Sequence, residues 1–368
     1  MSLLERLKSN GPKRILSLDG GGIRGALTLG YLEKIEQILR ERHKIPNLKL
    51  CEYFDLIGGT STGSIIAAGL AIGMEVSEVK QMYLNVGEKV FTRNKPWKWL
   101  KAFFSASNLR EQLKNIFKDI TLGSSDIKTG LCIFAKRADT GGTWIFMNHP
   151  EGKYFNDNKD ILLRKAIRAS TAAPTYFEPE TIDIKRGQTG AFIDGGVSMV
   201  NNPALMLFLI SSLKEFPFHW ELSEKKLLLV SIGTGTWKLI NDVGSITGAH
   251  LTTWASKVPS MLMYDANQQN QLLLQYLSKS KTPSIIDREI GDLSSDLLTE
   301  KPLLTYLRYN AFLDENGLNA LNLAKLVPNL KSLRDMSIGK NRFELAEIGE
   351  KAAETQILDE HFPNEFNI

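Results

Sequence analysis

Phe54-Asp55-Leu56-Ile57-Gly58-Gly59-Thr60-Ser61-Thr62-Gly63-Ser64-Ile65-Ile66-Ala67-Ala68-Gly69 runs from a short apolar stretch into Gly-x-Ser-x-Gly and then into a small-residue helical pattern. The order reads as strand, sharp turn, helix, with Ser61 at the bend. So tight a turn strains the serine backbone, and flanking glycines, here Gly59 and Gly63, avoid Cβ clashes. The serine Oγ is then pushed out at the top of a sheet, and the first N–H groups of the new helix point at any anion beside it. Alone, the pentapeptide is equally a glycine-rich turn whose serine caps the helix. The rest of the chain has to decide.

Strand and helix signals alternate around this unit, which predicts an α/β fold with a largely parallel sheet. Arg14–Asp19 is a short apolar strand, followed by glycines and a helix from about Ile23 to Glu41 with Leu27, Tyr31, Ile35 and Ile38 at helical spacing. Further strands are expected at Leu131–Lys136, Thr143–Asn148, Ala191–Asp194 and Lys226–Ile232. The last reads as fully buried and runs into a glycine turn. From about Trp254 the pattern turns helical, over Trp254–Ser278 and from about Asn341 to His361. No linker or repeat separates this part, so it is expected to pack on the α/β body.

At 368 residues the chain is long enough for a large core, as one large domain or two ordinary ones. Hydrophobic content of 43% and charged content of 23% are those of a soluble globular protein, and a net charge of +4 gives no reason to expect a nucleic-acid polymer as partner. Cys51 and Cys132 make neither a disulfide framework nor a metal spacing, and the five histidines are scattered, so no metal or cofactor is expected and a reducing cytoplasm fits. The charged N-terminus lacks the apolar core of a signal peptide. The longest apolar run, Pro203–Leu213, is too short to span a bilayer and reads as a buried helix, which leaves membrane contact peripheral.

Two more segments carry chemistry. Asp19-Gly20-Gly21-Gly22-Ile23-Arg24-Gly25 contains Gly-x-Gly-x-x-Gly between a strand and a helix. A dinucleotide site would need an acid at the end of a second strand about 20 residues on, where this chain has the polar, basic Leu39–Pro46. The other use is an oxyanion cradle, in which consecutive glycines aim backbone N–H groups at one point before a helix N-terminus. Arg24 could add charge there or make a structural ion pair. For a general base, His149 is the best placed of the histidines, in a loop after a strand-like run. Phe192-Ile193-Asp194-Gly195-Gly196 offers a carboxylate at a strand end, and equally an ordinary Asp-Gly turn.

Asp19–Gly25, Gly59-Thr60-Ser61-Thr62-Gly63 and Asp194-Gly195-Gly196, in this order and at these separations, resemble the three signatures of patatin-like phospholipases. Ser125–Thr129, Arg168–Phe177 and Val200–Ala204 fit as well, so the resemblance covers roughly residues 12–240. It implies a three-layer α/β catalytic domain over 12–240 and a mainly helical C-terminal region over 241–368. It also implies a Ser–Asp dyad with Ser61 as nucleophile and Asp194 as base, with Gly20, Gly21, Gly22 and Arg24 at the oxyanion hole. Gly25, Gly59, Gly63, Gly195 and Gly196 serve as motif glycines, and Ser64 stands where many relatives carry another glycine. The implied activity is lipid acyl hydrolysis, with acyl transfer on the same fold as an alternative. Bacterial relatives include antiphage effectors activated by cyclic oligonucleotides, which makes a cyclic nucleotide activator a further alternative, and homo-oligomerisation is left open.

The stretch Glu88–Phe104 interleaves Phe91, Lys95, Trp97, Lys98 and Trp99. Aromatics with lysines suit a membrane interface, so a lipid-facing or gating role is one expectation. The other is a connecting lid whose tryptophans pack inward.

Overall fold

The computed structural model describes residues 2–90, 104–185, 187–238, 243–248 and 250–368. Phe91, Lys95, Trp97, Lys98 and Trp99, singled out for membrane contact, lie outside the described residues. Among the described residues nine strands form one sheet: β1 (Lys13–Leu18), β2 (Leu56–Thr60), β3 (Gly130–Arg137), β4 (Thr143–Met147), β5 (Glu180–Lys185), β6 (Gln188–Asp194), β7 (Leu227–Ile232), β8 (Ser278–Ser280) and β9 (Leu304–Tyr309). The order is β5-β6-β3-β2-β1-β7-β9-β8, with β4 also on β3. From β3 through β8 every neighbouring pair is parallel, while β4, β5 and β6 pair antiparallel.

The pairing forks at β3. Gly58 to Thr60 of β2 face Cys132 to Phe134 of β3, and β4 holds the other edge of those residues and of Ala135 and Lys136. Asp194 and Ile193 of β6 face Ala135 and Lys136, and must therefore lie on the β2 edge. Since β6 runs against β3 and β2 runs with it, their C-terminal ends meet head to head.

Strands buried on both faces split their side chains between two cores by the period-2 alternation of the pleat. Ile15, Leu56, Leu227 and Leu229 join one core, under the helices Ala204–Ser212 and Leu251–Leu277. Leu16, Leu18, Ile57, Leu228 and Val230 join the other, with Gly25–His43, Thr62–Ala71, Val76–Val90 and Arg342–Gln356. This gives the three layers. The apolar run at 203–213 is the helix Ala204–Ser212, with Leu207 and Ile210 buried. No helix among the described residues is long and apolar enough to cross a membrane.

The helix expected from Ile23 starts two residues later, because Gly22–Arg24 form a 3-10 turn first. Past residue 240 the helices are present, and so are β8 and β9, which continue the sheet. The sheet thus crosses the expected division at 240, and every residue of β9 is buried. Arg342–Gln356 packs tightly on Gly25–His43. A Cβ on Gly349 would collide with the backbone of Leu27, and one on Gly30 with the backbone at Gly349 and Glu350. Gly349→Leu should therefore lower stability by about 1–3 kcal/mol through forced separation of the two helices. Urea unfolding measures this, and an unshifted midpoint would show that the crossing is looser than described.

Candidate active site

The elbow has the strain that the sequence called for. Ser61 sits at φ 54°, ψ −126°, between β2 and the helix Thr62–Ala71. Such a conformation costs about 1–3 kcal/mol in a residue with a Cβ, so its surroundings must hold it. The Ser61 N–H donates to Ser170 Oγ (2.9 Å), and Ser170 Oγ donates to the Phe134 carbonyl of β3 (2.5 Å). Ser64 Oγ donates to the Ser61 carbonyl (2.6 Å), so the residue that departs from the glycine pattern braces the elbow. Gly63 lets the helix lie against the end of β1, where a Cβ would collide with the Leu18 and Asp19 carbonyls.

Asp194 reaches the same point from β6. Its backbone faces Ala135, one residue beyond the Phe134 that faces Thr60, so the last side chain of β6 meets Ser61, the first residue past β2. Ser61 Oγ donates to Asp194 Oδ2 at 2.5 Å, and the Gly196 N–H donates to Oδ1 at 2.7 Å. The Asp194 N–H donates to the Ala172 carbonyl (3.0 Å), which ties the Arg168–Phe177 stretch to the site. Burial pushes the Asp194 carboxyl up to about 6, against the opposing pull of the Ser61 hydroxyl, the Gly196 N–H and Arg168. A carboxylate this basic and this close is able to accept the serine proton near neutral pH.

The glycine loop passes directly beside Ser61: a Cβ on Gly20 would come within 3.2 Å of the Ser61 Cβ. Its four expected contributors differ in what they offer. The Gly20 N–H is taken by the Asn201 carbonyl (2.9 Å), so it is not a free donor. Gly21 and Gly22 open the 3-10 turn, and their N–H groups have no partner among the described residues. Gly22 is at φ 58°, and its carbonyl is held by Tyr83 Oη (2.5 Å). The Arg24 side chain lies with its Cζ 5.1 Å from the Trp237 ring centroid and lines a different cavity from that at Ser61. It is a correction to the sequence reading that neither the Gly20 N–H nor the Arg24 side chain is directed at the serine.

Arg308 of β9 went unseen in the sequence. Its Nη1 and Nη2 donate to Asp19 Oδ1 (2.9 Å) and Oδ2 (2.6 Å), and Nη1 also donates to Ser231 Oγ (2.7 Å). Both ions are buried, at 6% and 4% exposure, so this pair anchors the root of the glycine loop inside the protein. His149 is fully buried and packs its ring edge to Phe218; burial pulls its pKa down to about 4, and it does not line the cavity at Ser61. That cavity, about 50 Å³, is flanked by Ile65, Val86, Leu109 and Phe177 around Ser61 and Asp194. No cluster of three potential metal ligands occurs among the described residues.

The family description "Patatin-like phospholipase" matches residues 16–208. A cGAMP-activated phospholipase of Escherichia coli is 33% identical over 230 residues, which are 60% of this chain and 62% of that one. A cUMP-AMP-activated phospholipase of Escherichia coli is 30% identical over 64% of this chain and 69% of its own length. Patatin-17 of Solanum cardiophyllum is 27% identical over 66% of this chain and 65% of its own. The chain therefore spans a little under two thirds of the length of the first of these relatives.

Removing one ion of a buried pair leaves the other without compensation, at a cost of about 3–5 kcal/mol. Arg308→Met should lose about that much stability by denaturant unfolding, and adding Asp19→Asn should restore part of it. A single variant as stable as wild type would contradict the anchoring role.

Proposed function

The chain belongs to the patatin-like phospholipase family, and on that footing we propose that it is a lipid acyl hydrolase of phospholipase A or lysophospholipase type. It would cleave carboxylic esters of glycerophospholipids through a Ser61–Asp194 dyad. The observation that carries this reading is the 2.5 Å hydrogen bond from a strained, elbow-mounted serine to a buried carboxylate of raised basicity.

Ser61 Oγ attacks the ester carbonyl carbon as its proton passes to Asp194 Oδ2. Negative charge develops on the carbonyl oxygen, where the Gly21 and Gly22 N–H groups are the unengaged donors at hand. One such donor is worth roughly 3 kcal/mol of barrier. The tetrahedral species collapses, the C–O bond to glycerol breaks, and the leaving alkoxide takes the proton from Asp194. Water then attacks the acyl-enzyme, Asp194 accepts its proton, and the fatty acid leaves as Ser61 regains a hydrogen. The dyad needs no histidine, in keeping with the remote, buried His149. A lipid substrate makes a cytoplasmic protein with peripheral membrane contact the matching setting.

Two relatives favour a second, compatible reading, a ligand-switched effector. Relatives named for activation by cGAMP and cUMP-AMP make a cyclic dinucleotide the first activator to try.

Ser61→Ala and Asp194→Asn should each lower phospholipid hydrolysis by at least about 10⁴-fold while the protein stays folded. Mass spectrometry of products from mixed membranes, with and without cyclic GMP–AMP, measures it. Activity within tenfold of wild type in either variant would sink the dyad.

A further inference from the structure

A second cavity, of about 300 Å³, lies on the other side of the glycine loop from the one at Ser61. The loop is the partition. Gly22 lines the serine cavity and Asp19 and Arg24 line the second, while Tyr176 and Met336 line both. The second cavity is polar: Arg24, Arg334, Asn267 and Asn310 face it around Trp237.

Its charges are unbalanced. The Cζ atoms of Arg24 and Arg334 lie 5.1 and 5.5 Å from the centroid of the same Trp237 ring. Each spends only its Nε on the protein, on the Gly21 carbonyl (3.4 Å) and the Leu313 carbonyl (2.7 Å). Their Nη groups have no hydrogen-bond or ion-pair partner among the described residues. Asp19, on the same wall, is consumed by Arg308. Asp335 also lines the cavity and is the foremost counter-charge to Arg24, though its Oδ1 accepts from the Ser337 N–H (2.9 Å) and Oγ (2.6 Å), so one of the two guanidinium charges is left uncompensated. Two guanidiniums held beside one indole repel each other, and the ring face offsets this only in part. Asn310 Oδ1 accepts the Gly235 N–H (2.8 Å), which leaves its Nδ2 as a further donor.

We propose that this cavity binds a phosphodiester group, the headgroup phosphate of the lipid whose ester lies at Ser61. The proposal rests on the lipid-hydrolase reading above. Planar guanidiniums match phosphate oxygens through paired N–H bonds, and a monoanion supplies the charge that the pocket lacks. A volume at the small end of ligand pockets suits a glycerophospho headgroup. The two cavities share Tyr176 and Met336 in their walls, and in this proposal one substrate presents an ester to Ser61 and a phosphate to Arg334. Arg334 and Trp237 both lie outside the matched residues 16–208, so the selectivity would belong to the chain's later part.

The test uses the full chain, with cyclic GMP–AMP present, on lauroyl lysophosphatidylcholine and on monolauroylglycerol, two substrates with one acyl chain. In Arg334→Gln, the ratio of kcat/KM for the phospholipid over the neutral ester should fall at least tenfold, chiefly through KM, and Arg334→Lys should recover part of it. Glycerophosphocholine should bind wild type and lose that binding in Arg334→Gln by calorimetry. An equal loss on both substrates, or an unchanged ratio, overturns the headgroup assignment. Loss of cyclic GMP–AMP binding with an unchanged ratio would assign the phosphodiester to an activator instead. If wild type hydrolyses neither ester, the lipid-hydrolase reading fails on its own terms, and the glycerophosphocholine titration still decides whether the cavity takes a phosphodiester.

Discussion

One edge of β3 carries two strands in succession, β2 as far as Phe134 and β6 from Ala135 onward. Because they approach from opposite directions, their last residues are neighbours, and Asp194 at the end of β6 meets Ser61, the first residue past β2. This head-to-head meeting brings Ser61 and Asp194, 133 positions apart, into hydrogen-bond contact. A slip of one residue on either strand would turn Thr60 or Asp194 to the opposite face of the sheet, since side chains alternate along a strand. The two apolar cores on either face resist such a slip, so the fold's burial pattern also sets the alignment of the site.

The site is held against its own cost. Ser61 adopts a backbone conformation that a residue with a Cβ disfavours, and Asp194 is a carboxyl removed from water. Each is offset by hydrogen bonds from nearby polar groups. Ser170 joins the Ser61 amide to β3, Ser64 joins its carbonyl to the helix, and Gly196 takes one oxygen of Asp194. These bonds leave Oδ2 to the serine alone, and burial outweighs their downward pull to keep the carboxyl at about 6, above the usual carboxylate range. The Asp19–Arg308 pair has a parallel role for the glycine loop, in which Gly21 and Gly22 keep their donors unengaged.

Much of this was legible in the chain because its signals are local. The strands β1, β3, β4 and β7 announced themselves as apolar runs, and the elbow as glycines around a serine. What escaped the reading depends on distant partners. Asp19 and Arg308 are 289 residues apart, and nothing near Arg308 marks it as the partner of a glycine loop. β5 alternates buried Ile182 and Ile184 with exposed Thr181 and Asp183, a short signal that the reading passed over, while β8 has three residues and β9 carries an arginine in a short mixed run. Arg24 was assigned by motif position, while the direction of its side chain follows from Trp237, more than two hundred residues on. Ser170 lay within a stretch already noted for family likeness, and only the fold relates it to the Ser61 amide.

The central claim is that Asp194 activates Ser61, and the most direct measurement is the pH dependence of Ser61 acylation. A fluorophosphonate probe, with the labelled peptide identified by mass spectrometry, reads the rate at the serine itself. Since the carboxyl must be ionised to accept a proton, and burial raises its pKa to about 6, labelling of Ser61 should rise with pH through a midpoint near 6. Asp194→Asn should remove both the step and most of the rate. A label on another residue, or a Ser61 rate equally fast in Asp194→Asn, would contradict the account.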